Sequence, residues 1–163
     1  VSRKAEKARL AALWEQVDER ELRAAEDFLV WCRTQLGLPH WYIYIGTTGP
    51  CPDDAYADCE VNPTRYLAKV RLGRAWLEIG PWAQANALIH ETLHVSHHRL
   101  TEGVHIEVRN ALPSKDQRAF NVIEARSDLE AERMVDRLAT ALTESLGAVK
   151  AWKRIRKAHG LKA

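Results

Sequence analysis

His90, Glu91, Thr92, Leu93 and His94 form an HExxH pattern, and Ala87, Leu88, Ile89 and Val95 surround it with apolar, helix-compatible residues. On a helix, residues four apart share a face, so the imidazoles of His90 and His94 can reach one tetrahedral metal ion. Glu91 falls beside them, where a carboxylate can take a proton from a water activated by that metal. The apolar flanks put the helix in a core. Two imidazoles leave a metal site incomplete, so a second element must approach this helix and bring at least one more ligand.

With 163 residues, 46% apolar and 28% charged, the chain is long enough for one packed domain and short for two, so residues 1–163 are expected to form a single domain. A net charge of +2 gives no bulk electrostatic case for nucleic acid or an anionic membrane. Cys32, Cys51 and Cys59 are an odd set without a CxxC pair, which fits reduced thiols of a cytosol, with a Cys51–Cys59 pairing as the alternative. No apolar run of about eighteen residues occurs, and the first residues lead into charged helix, so a cytoplasmic chain with no membrane partner is expected.

Residues 1–36 are rich in Ala, Glu, Arg and Leu, with Leu10, Leu13, Trp14, Val17, Leu22, Phe28, Leu29 and Cys32 at helical spacings. They predict an N-terminal helical segment of one or two helices, stopped by Gly37 and Pro39. Trp41–Ile45, Ala55–Val61, Arg65–Leu72 and Ala75–Ile79 read as four short strands, mainly antiparallel. After Gly80-Pro81, the stretch from Trp82 to Leu100 has the period of the helix that carries HExxH. Val104, Ile106 and Val108 alternate with polar residues and suggest one further short strand. Ser114 with Gln117 resembles a capping box that opens a helix ending near Leu146, with Gly147 as its stop. Residues 148–163 form a basic tail, read as a partly docked helix in preference to a contact surface for nucleic acid.

The missing ligand decides among metal-site types. The longer pattern HExxHxxGxxH is absent, because His97 stands at its glycine and Leu100 at its third histidine. The other common solution is a Glu from a second helix, and the helix from Ser114 offers Glu124, Glu130, Glu132 and Glu144. With Phe120 at zero on a wheel of about 100° per residue, Ile123, Ala131, Met134, Val135, Leu138, Ala141 and Leu142 fall within about 60° of it. Glu124 falls at about 40°, inside this stripe, whereas Glu130 and Glu132 lie outside it. A carboxylate on a buried face is costly unless a cation compensates it, which selects Glu124 as the metal ligand. Asp128, one turn later, can hold the far nitrogen of a ligating histidine. Glu132 with Asp136 repeats the same spacing eight residues on and is the alternative register.

On these residues the chain resembles the gluzincin class of zinc metallopeptidases, in which HExxH is completed by a Glu of a following helix in an ExxxD arrangement. The resemblance covers roughly Trp41 to Leu146, at the size of small phage, plasmid and bacterial zincin-like proteins. It implies an α+β zincin-like fold: an N-terminal helix, a small antiparallel sheet, the HExxH helix and a glutamate helix. It also implies Zn2+ held by His90, His94 and Glu124, Asp128 behind a ligand, Glu91 as general base, and a protein or peptide substrate. A strand edge beside the cleft, with Ala75–Ile79 as the candidate, would bind the substrate backbone. The class uses a His or Tyr to stabilise the oxyanion; His98, His105, Tyr42 and Tyr66 are the candidates. Two alternatives stand beside the peptidase: a non-catalytic zincin-fold regulatory or interaction protein with structural zinc, and a nucleic-acid-associated protease using the basic tail.

Overall fold

A computed structural model describes residues 3–47, 49–51, 55–111 and 117–162. The elements run α1 (Arg3–Trp14), α2 (Glu19–Gln35), β1 (Tyr42–Ile45), β2 (Ala57–Asn62), β3 (Leu67–Leu72), α3 (Pro81–Ala111), α4 (Gln117–Ser145) and α5 (Ala148–Ala158). The chain is an α+β protein with five helices and one small sheet among the described residues.

The N-terminal segment forms two helices because Asp18 starts the second one. Its carboxylate accepts from the Glu21 amide at 3.1 Å, and Glu19 and Glu21 place negative charge in the first turn. Ala24, Ala25, Phe28, Leu29 and Cys32 then recur on one face of α2 and are buried against the sheet and α3.

The sheet departs from the expected one. It has three strands in the order β1-β3-β2 and is mixed: β1 runs parallel to β3, with Ile45 opposite Val70, and β2 runs antiparallel to it, with Cys59 opposite Val70. β3 is central, and its Ala68, Val70 and Leu72 alternate into the core. The expected strand at Ala75–Ile79 is a succession of turns, with Trp76 N–H bonded to Gly73 O and Glu78 N–H to Ala75 O. Trp76 is fully buried there, so the apolar content of this stretch reflects one core anchor and not a pleated face. The alternation at Val104, Ile106 and Val108 also does not make a strand, since these residues continue α3. Ser114, the proposed cap, lies outside the described residues.

Gly73 brings the segment before β2 down onto the end of β3. Its N–H donates to Tyr56 O at 2.7 Å, and a Cβ at this position would stand 1.9 Å from the Ala55 carbonyl oxygen. Only glycine allows that approach. Gly147, at φ 64°, makes the left-handed turn that separates α4 from α5.

One core joins α2, the sheet, α3, α4 and α5. The basic C-terminal segment is docked: Ala148, Ala151 and Trp152 of α5 are buried, while Lys150, Lys153, Arg154 and Lys157 face outward. Trp152 packs edge-on against Phe28 and Trp76. A polar seam crosses this apolar centre. Glu21 accepts from Trp76 Nε1 at 3.0 Å and from the Arg156 guanidinium, and Gln84 accepts from Trp152 Nε1 at 2.9 Å and donates to Trp76 O. The seam ties α2, the turn after β3, α3 and α5 into one frame. On that frame the face of α3 toward β2 and α4 is set. No helix among the described residues is long and apolar enough to cross a membrane.

Candidate metal centre

The HExxH residues occupy the middle of α3, where its faces are already assigned. Leu88, Ile89, Thr92 and Val95 point into the core, and Thr92 closes its hydroxyl onto the Leu88 carbonyl at 2.7 Å. With those positions inward, helical geometry turns His90, Glu91 and His94 toward β2 and α4. The two imidazoles stand together, Nε2 to Nε2 at 2.9 Å.

The carboxylate that meets them is Glu132. Its Oε2 is 3.4 Å from His90 Nε2 and its Oε1 is 3.3 Å from His94 Nε2. His90, His94 and Glu132 are the group of potential ligands found among the described residues, with their ligand atoms within 4.8 Å of one another. Two atoms each about 2.0–2.1 Å from a tetrahedral zinc lie about 3.3–3.4 Å apart, so this triangle needs to spread only at its His–His edge to accept the ion. One turn on, Asp136 places Oδ1 at 3.1 Å from His90 Nδ1, the nitrogen that faces away from the triangle. Ligating histidines are held in this way.

The carboxylate that the structure brings to the two imidazoles is thus Glu132, whereas the wheel selected Glu124. Glu124 is tied to the Arg109 guanidinium at 2.6 Å, away from the imidazole pair. Asp128 lines the cleft, and the carboxylate found behind His90 is that of Asp136. The reason is the path of the contact between the helices. The buried side of α4 follows Ala131, Val135, Ala139 and Thr143, an i+4 row that turns by about 40° per step. By mid-helix the face against α3 has rotated away from the apolar stripe centred on Phe120. Ile123, Met134 and Leu138, which defined that stripe, are exposed. Glu132 and Asp136 sit at the edge of the row that remains, level with His90 and His94. The small residues of that row were the signal that could have separated the two ExxxD registers.

Glu91 is buried, at 7% exposure, between the histidines and β2. Burial pushes its carboxyl up to about 8, and the negative charges of Asp58 and Glu132 push the same way. His94 is shifted in the opposite sense: desolvation holds its imidazole below the usual histidine value, which favours the neutral form that can bind a metal. Asp58, not foreseen from the sequence, reaches the site from β2 and is held by a bidentate contact from Arg71, at 2.9 and 2.5 Å.

These groups border a cleft of about 660 Å3, bounded by Ala57, Cys59 and Val61 of β2, by His90–His98 of α3 and by Asp128–Glu132 of α4. The strand beside it is β2 and not the Ala75–Ile79 segment. Among the described residues β2 pairs with β3 alone, which makes it an edge strand, and its Ala57, Asp58, Cys59 and Val61 line the cleft. Of the oxyanion candidates, His98 lines the cleft, as does His97. Tyr66 packs on Trp41 and Tyr42 on Tyr44, both away from it, and the side chain of His105 lies outside what the structure describes. The cysteines are free; Cys32 and Cys51 are buried, and Cys59 borders the cleft.

Compared with protein-family models, curated proteins and solved structures, the chain gives no match in any of the three.

Proposed function

We propose that this protein is a zinc-dependent metallopeptidase. The observation that carries the reading is the meeting of His90, His94 and Glu132, with their ligand atoms within 4.8 Å of one another and Glu91 buried beside them in the same cleft. Two imidazoles and one carboxylate favour zinc among the common divalent ions and leave a fourth position for water or substrate. A zinc ion held there supplies a Lewis acid that polarises a carbonyl and makes water more acidic.

The residues of the chain divide the remaining work. Glu91, in a desolvated position next to the ligands, accepts a proton from the attacking water and passes it to the leaving amine. Asp136 fixes the His90 ring. The open edge of β2 offers backbone donors and acceptors to an extended peptide, which gives affinity without demanding a sequence. His97 and His98 are the groups in the cleft with N–H donors for a developing oxyanion.

The test is elemental analysis of the purified protein together with a peptide-library digest, with Glu91→Gln as control. About one zinc per chain, cleavage by the wild type, and retained zinc without cleavage in Glu91→Gln are expected. Zinc retained by both but cleavage by neither would favour a structural metal in an interaction protein. Cleavage that survives Glu91→Gln would remove the assigned base.

A further inference from the structure

A second hollow, of about 320 Å3, adjoins the cleft and shares Ala57, His90 and Glu91 with it. Along α3 the two lie on opposite sides of the His90–Glu91 pair. The helix residues of the cleft run from His90 to His98, and those of the hollow run back from Glu91 to Trp82. An extended chain lying along β2 across the metal position therefore puts one of its side chains over this hollow. Its volume is at the low end of ligand pockets, the scale of one side chain and not of a whole small molecule.

The lining is specific. Tyr56 and Trp82 present rings that are 49% and 44% exposed, beside the small Ala83 and Ala87. Asp136 contributes a carboxylate whose Oδ1 turns to His90, which leaves its other oxygen for a second donor. Asn86 turns its amide nitrogen to Thr143 Oγ1 at 3.3 Å, which leaves its oxygen as an acceptor. An apolar guest would strip water from both oxygens without giving a donor in return. A cationic guest would gain from the ring faces and from the carboxylate at once.

The surroundings point the same way. Asp58, Glu91, Asp128, Glu132 and Asp136 line the two hollows, and among the described residues neither is lined by a Lys or Arg, although the chain as a whole carries a net charge of +2. Arg71 is committed to Asp58. Arg137 borders a separate shallow hollow with Asp136, and His97 and His98 stand at the far end of the cleft. Even without Glu91, the four carboxylates of Asp58, Asp128, Glu132 and Asp136 outnumber the charges of a divalent ion and Arg71 and leave a negative surplus.

We propose that the hollow between Tyr56, Trp82 and Asp136 is the subsite for a basic side chain, arginine before lysine, of a peptide residue next to the bond cleaved. The inference rests on the peptidase reading and gives it a substrate class. Arginine leads because its flat guanidinium stacks on an aromatic ring while its N–H fork turns to a carboxylate, whereas the lysine ammonium is a more strongly hydrated point charge.

Two measurements test it and separate it from the reading beneath. The first is calorimetric binding of Nα-acetyl-arginine amide, its neutral citrulline analogue and the leucine analogue to zinc-loaded Glu91→Gln protein. The arginine probe should bind about tenfold or more tighter than the other two, with that margin lost in Trp82→Ala and largely kept in Trp82→Phe. The second is a peptide-library digest by the zinc-loaded wild type. Cleavage should fall next to Arg or Lys, and Trp82→Ala should raise KM more for those peptides than for others. Citrulline or leucine binding as tightly as arginine overturns the proposal. Cleavage with no preference for a basic residue also overturns it and leaves the peptidase reading standing. Selective arginine binding without cleavage of any peptide supports the subsite and removes the peptidase reading instead.

Discussion

Asp136 holds His90 from behind: its Oδ1 lies 3.1 Å from Nδ1, while Nε2 of the same ring faces Glu132 and His94. One carboxylate thereby fixes the tautomer that leaves Nε2 as the free lone pair. Asp136→Asn keeps the shape but offers a neutral partner, and Asp136→Ala removes it. Zinc affinity, measured by competition with a chromogenic chelator, is expected to fall about 10–100-fold in Asp136→Ala and less in Asp136→Asn. Unchanged affinity in both would mean that the ring is oriented by something else.

The two ExxxD registers make opposite forecasts. Glu132→Ala removes the carboxylate that bridges the imidazoles and should bring zinc content well below one per chain after dialysis. Glu124→Ala should leave zinc content unchanged. Its partner Arg109 is itself about half exposed, so losing that ion pair is expected to cost under about 1 kcal/mol in thermal or denaturant unfolding. Elemental analysis of the pair of variants decides between the registers, and zinc lost only from Glu124→Ala would reinstate the first one.

How far the sequence could be read follows from what each signal is physically tied to. The His90–His94 spacing is a property of one helix and survives any tertiary context, and the same holds for the α2 period and for Gly37 and Gly147 as stops. The choice between Glu124 and Glu132 depends on how α4 crosses α3. A wheel built on hydrophobicity assumes that apolar residues mark the contact, and here Ile123, Met134 and Leu138 lie on the outside. The Ala75–Ile79 stretch misled for a related reason. Trp76 and its neighbours have strand composition, but the backbone turns to deliver Trp76 beneath Glu21 and beside Trp152. Asp58 carried no local signal at all, since one acid on a strand has no periodicity until the strand is placed beside Glu91.

The seam around Glu21 predicts where the fold is most easily broken. Glu21 is 2% exposed and receives Trp76 Nε1 and the Arg156 guanidinium, whose own side chain is 12% exposed. Glu21→Ala leaves the Trp76 indole N–H without its acceptor and the buried Arg156 cation without its counter-charge, with the Lys162 carbonyl and the Gln84 amide oxygen beside it, which is expected to cost about 3–5 kcal/mol. The double variant Glu21→Ala with Arg156→Met removes the stranded charge and should recover part of that loss. Chemical unfolding of the two single variants and the double variant gives the coupling, and strictly additive losses would show that Glu21 and Arg156 act separately.

Glu91 lies in a place that suits chemistry and burdens the fold. Its carboxyl is raised by burial to about 8 in the metal-free protein, against the ordinary value of 4.5 it regains on unfolding. Between these values the folded chain retains a proton that the unfolded chain has released, so stability falls as pH rises through this window. The destabilisation is absent below about pH 4.5, where both states are protonated, and complete above about pH 8. Glu91→Gln carries no such proton. In metal-free protein the unfolding free energy of Glu91→Gln, relative to that of the wild type, should therefore rise from pH 5 to pH 8 by on the order of a few kcal/mol. A divalent cation beside the carboxylate acts in the opposite direction, so this rise should shrink when zinc is added. A difference that is the same at pH 5 and pH 8 would mean that Glu91 is ionised throughout, and would count against its poise as a base near neutral pH.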